Sequence, residues 1–282
     1  MASAQFPLTT SPCPIDIDCT GERWVVNNVV ELSRHIAIIA MGQAAQAAHI
    51  LQELSPAAPA FTTSELRAEA KVRLTVQEEK QSPRIGYPRW QRDGFIFEAI
   101  SWIAARQVYG AGCFMKDPHI SATAQGLDGL MLELSTDKSD VQRTTVFEDK
   151  CSDDPIGTFQ YKVIPAFQDR HDNKRSAEIV SVATVLLRMA GISEGDAAKL
   201  AAAVTDRGRR RYRAAMAVTD ASDSQHARTE IFANYAKIKD VTQGQRIGAC
   251  FVVPPELRDW FERLAQEAVS YIDSFEGEVG DV

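Results

Sequence analysis

The spacing of apolar residues changes period along the chain, and each change predicts an element. In residues 92–109, RDGFIFEAISWIAARQVY, apolar positions recur at helical spacing, and Gly110 is placed to end the helix. Two short runs rich in β-forming residues follow, GLDGLMLEL and RTTVFEDKC, joined by the polar stretch STDKSDVQ. This combination predicts a β-hairpin.

The segments after the hairpin alternate between helical and strand patterns. IGTFQYKVIPAFQD and SAEIVSVATVLLRMAG predict helices, and the second is apolar almost all round, so we expect it to be buried against a sheet. A further helix is predicted from about Ser193, with Asp196 completing a capping box, into the arginine-rich stretch DRGRRRYR. IGACFVVPP predicts a strand and ELRDWFERLAQEAVSYI a final amphipathic helix, which together indicate an α/β fold.

The pattern before residue 90 is different. Residues 1–20 are rich in Pro, Ser and Thr and predict an irregular lead-in, whereas residues 23–54 predict one or two helices that end before Pro56. Another helix is predicted to begin near Thr63. We therefore expect a helical N-terminal extension over residues 1–89 and a second domain over residues 90–282.

Composition excludes several classes of protein. A content of 45% hydrophobic and 24% charged residues fits a globular core. The five cysteines form no C-x-x-C pair, so neither a disulfide framework nor a zinc cluster is indicated. The first residues lack the basic and apolar regions of a secretory signal, and no apolar run is long enough to span a membrane, so a cytoplasmic protein is expected. Serine-hydrolase and P-loop motifs are missing.

The predicted hairpin carries the residues that can perform chemistry. Because strand side chains alternate, Glu148 and Lys150 share one face, and Asp128 on the preceding strand is expected to lie beside Glu148. Two converging carboxylates favour a bound cation, and oxygen ligands favour Mg²⁺ or Mn²⁺ over zinc. A lysine beside them can orient a water and offset the charge that gathers on a phosphate.

The E-x-K triplet alone is weak, because it occurs three times. Glu69-Ala70-Lys71 and Glu78-Glu79-Lys80 lie in polar stretches predicted to be helical, where residues two apart face different ways. Only Glu148-Asp149-Lys150 ends an apolar β run next to a second run with an aspartate. Alternative interpretations remain: Asp128 beside glycine as a turn residue, and Glu148 with Lys150 as a surface salt bridge.

The ordered set of these residues resembles a known superfamily. R-D-G-F-I-F-E on a helix, with Glu98, then G-L-D-G, with Asp128, and then V-F-E-D-K, with Glu148 and Lys150, resembles the PD-(D/E)XK or restriction-endonuclease-like nucleases. The resemblance covers roughly residues 90 to 190, and Leu127 stands where the family has proline. It implies a mixed central sheet flanked by helices, Asp128 and Glu148 as metal ligands, Glu98 as a further ligand directly or through water, and Lys150 as the water-positioning residue. Without the resemblance, Glu98 would be interpreted as a solvated residue on an amphipathic helix.

The function expected from this resemblance is metal-dependent endonucleolytic hydrolysis of DNA. The arrangement of a nuclease core with a helical extension also resembles nuclease effectors of bacterial antiphage systems such as the Hachiman type, which implies a helicase or ATPase partner. An alternative is a non-catalytic DNA-binding or assembly subunit that retains the nuclease fold. Another is a helical interaction protein in which the acidic residues and lysine coincide by chance.

The formal net charge of −7 at pH 7 does not favour phosphate binding, but basic residues are concentrated locally. Fold-stabilising roles and a solvated helix face are the alternatives to phosphate contact. The candidate nucleic-acid contacts are Lys162, Arg170, Lys174, Arg175, Arg207, Arg209, Arg210, Arg211 and Arg213.

Overall fold

The computed structural model describes residues 6–120 and 126–275. Within these ranges, seven strands form one mixed sheet, and helices cover both of its faces. The strands are β1 (Leu8–Cys13), β2 (Thr20–Val26), β3 (Cys113–Met115), β4 (Gly129–Leu134), β5 (Val141–Cys151), β6 (Arg210–Thr219) and β7 (Arg246–Val253). The helices are α1 (Val29–Ala40), α2 (Ala44–Glu53), α3 (Ser64–Leu74), α4 (Arg89–Tyr109), α5 (Pro155–Thr158), α6 (Ile164–His171), α7 (Ser176–Met189), α8 (Glu194–Leu200), α9 (Gln225–Ile231) and α10 (Leu257–Asp273).

The strand order in the sheet is β1-β2-β7-β6-β5-β4-β3. The central strands β2, β7, β6 and β5 run parallel, whereas β1 pairs antiparallel with β2, and β4 pairs antiparallel with both β5 and β3. A short loop suffices for the antiparallel β4–β5 hairpin, but the parallel β5–β6 pair needs a long crossover, which contains α5 to α8. The predicted α/β fold with a mixed sheet flanked by helices is confirmed.

Each face of the sheet has its own hydrophobic core. On one face, α1, α2, α4 and α10 pack against Phe147, Ala215 and Phe251. On the other face, α6, α7 and α8 pack against Val146 and Tyr212. Phe147 and Val146 are adjacent on β5 and point to opposite cores, as the alternation of a strand requires. Strands covered on both faces read as nearly continuous apolar runs, which is why IGACFVVPP could be recognised as β7.

Several predicted elements are confirmed. GLDGLMLEL and RTTVFEDKC form the β4–β5 hairpin, and the helical pattern before Gly110 is α4. Gly110 ends that helix with a φ of 59°, a conformation that glycine adopts without strain. The helices predicted for SAEIVSVATVLLRMAG and ELRDWFERLAQEAVSYI are α7 and α10. α7 is more amphipathic than expected, since Met189 is 62% exposed while Ala183 and Leu187 are buried.

Two predictions were wrong. The expected irregular lead-in over residues 1–20 contains β1, and β2 begins at Thr20 and continues into the region predicted to be helical. Both strands extend the sheet beyond β7. The helix predicted to continue into DRGRRRYR ends at Leu200, and the arginines instead open the central strand β6. The physical reason is that Arg210 and Arg213 are fully buried, which hides the apolar alternation that would reveal a strand.

The division at residue 89 stays a prediction, but the segment before it is not wholly helical, because β1 and β2 belong to the same sheet as β4–β7. Helix α1 also packs in the same core as α10. None of the helices in the described ranges combines the length and the apolar character that crossing a membrane requires.

Candidate active site

The β4–β5 hairpin brings Asp128 beside the E-x-K triplet. Gly129 pairs with Phe147, so Asp128, one residue earlier, lies next to the strand segment that contains Glu148. A Cβ atom at Gly129 would lie 2.5 Å from a ring carbon of Phe147, so glycine permits the close approach of the two strands here. The Asp128 Oδ2 atom accepts a hydrogen bond of 2.9 Å from the backbone N–H of Asp149, which fixes this carboxylate on β5.

Lys150 connects the two predicted carboxylates. Its ammonium group donates a short hydrogen bond to Asp128 Oδ2 and lies 2.8 Å from Glu148 Oε2. Burial lowers the pKa of Lys150, but the charges of Asp128 and Glu148 outweigh burial, so the net pKa is raised. Lys150 is therefore a protonated cation between two acids.

Glu148 is held from the opposite side by a buried arginine. The Arg170 guanidinium, on α6, donates a short hydrogen bond to Glu148 Oε1, and only 1% of the Arg170 side chain is exposed. The net pKa of Glu148 is raised, chiefly because of burial. Lys150 and Arg170 lower it, and Asp128 raises it further. Both oxygens of Glu148 thus have a cationic partner, which offsets the cost of burying the carboxylate.

Glu98, predicted as a further metal ligand, bonds to His119 in this structure. Its Oε1 atom accepts a hydrogen bond of 2.7 Å from the backbone N–H of His119, and its Oε2 atom lies 3.0 Å from His119 Nδ1. His119 belongs to the loop that follows β3. The carboxylate therefore fixes both the backbone and the ring of this histidine.

A cavity of about 380 Å³ opens beside these groups, and its size is typical of ligand sites. Helix α4 supplies one wall with Glu98, β5 supplies Lys150, and the turn after α5 supplies Lys162. Lys162 lies on a π-helical turn (Phe159–Val163), and its side chain makes no hydrogen bond or ion pair with another described residue. The lining residues are Trp90, Gln91, Gly94, Phe95, Glu98, His119, Asp128, Asp149, Lys150, Cys151, Ser152, Thr158, Lys162 and Arg258.

Asp149 also borders this cavity, although its side chain is almost completely buried. Its Oδ1 atom has no hydrogen-bond partner in the described chain and lies 3.7 Å from an Arg213 nitrogen. The net pKa of Asp149 is raised to about 7. Burial is the largest cause, Arg213 lowers the pKa and Asp128 raises it. Arg213 in turn lies over the ring of Phe147, 3.7 Å from its centroid.

The predicted basic contacts separate into buried and accessible groups. Arg170, Arg210 and Arg213 are at most 1% exposed and bond to protein groups, so they do not present a surface to phosphate. The physical reason is that these three guanidinium groups lie in the interior. Arg170 and Arg210 lie on the face of the sheet that α6 covers, and Arg213 bonds to Ser101 of α4 on the other face. Arg175, Arg209 and Arg211 form ion pairs with Glu178, Asp140 and Glu133.

Lys174 and Arg207 line a second cavity of about 420 Å³, together with Lys237 and Lys239. Lys174 is paired with Asp169 and Asp172 at the rim of this cavity. Of the nine predicted basic contacts, only Lys162 lines the cavity that contains Asp128 and Lys150.

The predicted ligands of a divalent metal ion are Asp128, Glu148 and Glu98. Over residues 6–120 and 126–275, no cluster of three His, Cys, Asp or Glu side chains is arranged to hold one ion, and Glu98 is engaged with His119. The three predicted carboxylates do not converge on one point in this structure, and their role as metal ligands stays a prediction. Asp128 and Glu148 alone offer hard oxygen donors to one point, now taken by an ammonium group, and Mg²⁺ commonly binds through one or two carboxylates.

Four of the fourteen residues that line the cavity were predicted as site residues, and the ten others include four with a charged, imidazole or indole side chain. Trp90, His119, Asp149 and Arg258 line it, and Arg258 bonds to Asp153 and Asp93. The sequence carries no local signal for His119, since its partner Glu98 lies on another element. Strand alternation places Asp149 on the opposite face of β5 from Glu148, but the cavity reaches the end of β5 from that face as well.

No protein-family model matches the chain, and comparison with curated proteins gives no significant match. The interpretation of the site therefore depends on its own geometry.

Proposed function

We propose that this protein is a metal-dependent nuclease that hydrolyses phosphodiester bonds in DNA at the cavity beside β5. The observation that carries the proposal is the position of Lys150, whose ammonium group bonds to Asp128 and Glu148 at the wall of that cavity. Charged side chains that converge at a cavity wall are typical of functional sites, since partial burial of each one costs free energy.

The order of the elements supports the restriction-endonuclease-like assignment. Helix α4 carries Glu98, Asp128 immediately precedes β4, and Glu148 and Lys150 lie near the end of β5. This order is the one on which the resemblance to the PD-(D/E)XK nucleases rests. The mixed sheet flanked by helices is the architecture that this resemblance implies.

Asp128 and Glu148 are the residues that would hold Mg²⁺ or Mn²⁺. When bound, such an ion polarises a phosphoryl oxygen and lowers the pKa of water. Lys150 supplies a fixed positive charge where negative charge develops on the phosphate, and its two carboxylate partners set its position. Arg170 orients Glu148 from the buried side and lowers its pKa, in opposition to burial, which raises it.

The cavity wall fits a nucleic acid better than a small phosphate ester. Lys162 is an accessible cation without a protein partner among the described residues, which suits it to a backbone phosphate. Trp90 is 66% exposed at the same cavity, and an exposed indole can stack on a nucleobase. The resemblance to Hachiman-type effectors extends the proposal to antiphage defence with a helicase or ATPase partner, which co-purification would test.

The deciding experiment incubates the purified protein with plasmid, linear and single-stranded DNA, and with RNA, in Mg²⁺, Mn²⁺ or EDTA. We expect cleavage of DNA that requires the metal ion and is lost in Lys150→Ala. The matched control is Lys80→Ala, since Lys80 ends the E-x-K triplet at residues 78–80, which lies outside the sheet. Equal cleavage by Lys150→Ala and the parent would contradict the mechanism. DNA binding without cleavage in any metal would instead favour a non-catalytic subunit.

A further inference from the structure

The carboxylate–histidine pair formed by Glu98 and His119 is the second polar feature of the cavity. His119 Nδ1 lies 2.9 Å from Glu98 Oε1 and 3.0 Å from Oε2. A carboxylate oxygen only accepts hydrogen bonds, so Nδ1 carries the hydrogen. In the neutral ring this leaves the lone pair on Nε2.

The placement of this ring gives the lone pair access to the cavity. The His119 side chain is 16% exposed and lines the same cavity as Asp128 and Lys150. Among the described residues, none forms a hydrogen bond with Nε2. The backbone N–H of His119 also bonds to Glu98, so α4 fixes the loop as well as the tautomer.

Most other polar groups of the cavity already have protein partners, and Asp149, whose Oδ1 atom has none among the described residues, is almost completely buried. Lys150 is a protonated cation held by Asp128 and Glu148, and Arg258 is bonded to acids. The Asp128 Oδ2 atom already accepts from Lys150 and from the backbone of Asp149, and Glu98 is committed to His119. An unused lone pair on a fixed ring is therefore available at His119.

We infer that His119 is a further catalytic residue, which accepts the proton of the attacking water through Nε2 while Glu98 fixes its tautomer. This inference rests on the proposed nuclease function. As the oxygen of water forms its bond to phosphorus, its proton passes to Nε2, and the bond from phosphorus to the leaving oxygen breaks. The leaving oxygen takes a proton from solvent, and the imidazolium returns its proton to solvent. Glu98 stabilises that imidazolium through Nδ1–H, which is the role of the acid in a hydrolytic triad.

Two substitutions separate this role from a structural one. The amide group of an asparagine at this position can occupy the place of Nδ1–H of the histidine ring. The amide group of a glutamine can occupy the place of Nε2. His119→Asn therefore keeps the hydrogen bond to Glu98 but removes the proton acceptor, whereas His119→Gln loses that hydrogen bond. If His119 only anchors the loop, His119→Asn should cleave like the parent, and His119→Gln should be defective.

We expect His119→Asn to lower kcat on plasmid DNA by about 100-fold to 10,000-fold, with KM nearly unchanged, which is the range for loss of a general base. Its thermal unfolding should match that of the parent. The His119→Ala variant has room for a small base. Imidazole at about 50 mM to 200 mM should therefore restore part of its kcat. This second variant decides the matter even if His119→Asn is unstable.

Full activity of His119→Asn, or a stable His119→Ala that imidazole does not restore, would overturn the role of His119 and leave the nuclease proposal intact. A parent protein that cleaves no DNA in any metal would overturn both. A loss of activity in His119→Asn together with imidazole rescue of His119→Ala would support the inference.

Discussion

The two ends of the parallel β5–β6 pair both contain buried charge, and they satisfy it in different ways. At the carboxyl end, Lys150 and Glu148 bond to other ionised side chains beside a cavity. At the amino end, Arg210 is 0% exposed and donates to the carbonyl oxygens of Val204 and Arg170. One region therefore exposes mutually paired charges to a ligand, and the other uses a charge to join segments of the backbone.

The difference shows what distinguishes a site from a structural charge in this fold. Carbonyl oxygens bonded to Arg210 belong to a fixed backbone, and removing the arginine leaves them buried without a partner. The carboxylates around Lys150 bond mainly to charged side chains, and the backbone group that they hold is the N–H of Asp149. Substitutions at the carboxyl end should therefore affect the reaction, and those at the amino end should affect stability.

The largest effect is expected for Asp128→Asn. Removing one charge from the carboxylate pair should lower metal-dependent cleavage of plasmid DNA about 1,000-fold, which corresponds to about 4 kcal/mol. The free energy of unfolding should change by less than about 1 kcal/mol, because the amide retains the shape of the side chain. The control is Asp137→Asn in the exposed β4–β5 loop. Cleavage by Asp128→Asn within a factor of three of the parent would remove Asp128 from the proposed site.

Arg210→Met should have the next largest effect, on stability. The loss of hydrogen bonds to buried carbonyl oxygens should lower the free energy of unfolding by about 3 kcal/mol, measured by urea denaturation. Cleavage per folded molecule should stay close to that of the parent. Arg207→Met is the matched control, because Arg207 is exposed, and it should change stability by less than about 0.5 kcal/mol. A stable Arg210→Met protein with impaired cleavage would remove the distinction between the two ends.

Asp149, between Glu148 and Lys150 at the carboxyl end, should make stability depend on pH. Its folded-state pKa is raised to about 7, so the native chain keeps a proton that the unfolded chain loses at lower pH. Stability should therefore fall as pH rises from about 4 to about 7, by up to about 3 kcal/mol, and Asp149→Asn should flatten this slope.

Urea denaturation at several pH values in EDTA measures the slope. Asp137→Asn should leave it unchanged in that window, because hydrogen bonds from Ser135 and Ser139 lower the pKa of Asp137 to about 2. An equal slope in Asp149→Asn and the parent would mean that Asp149 does not titrate as expected.

The smallest effect is expected for Trp90→Ala. Loss of an exposed stacking surface should raise KM for single-stranded DNA about fivefold to tenfold, roughly 1 kcal/mol, without changing kcat. Tyr161→Ala is the control, since Tyr161 is also exposed but does not line the cavity. The same KM in Trp90→Ala and in the parent would exclude stacking on this residue.

The hairpin half of the site was predictable because it depends on local rules. Strand alternation alone places Glu148 and Lys150 on one face, and a polar loop between two β runs places Asp128 beside them. Glu98 was predicted as a member of the site and lines the cavity, but its bond to His119 was not predicted. That bond joins a helix to a loop, and the sequence has no pattern that fixes such a distance.

Two features of the fold were hidden for other reasons. In the sequence, the buried arginines at the start of β6 have the same pattern as a solvated basic surface. The sequence alone does not show that backbone carbonyl oxygens accept the hydrogen bonds of Arg210. The strands β1 and β2 are short and partly exposed, and LTTSPC has the composition of a loop. Their identity as strands depends on pairing with β7, which comes from the other end of the described chain.

That pairing sets the order in which the molecule can be assembled. Thr20 of β2 pairs with Ile247 of β7, so the sheet closes only after a chain emerging from the ribosome has extended past residue 253. Contacts between such distant segments form slowly because a long loop must close first. Until then β6 has an unprotected edge, on which other nascent chains could add a strand. Protection of the nascent chain against aggregation thus depends on the arrival of β7.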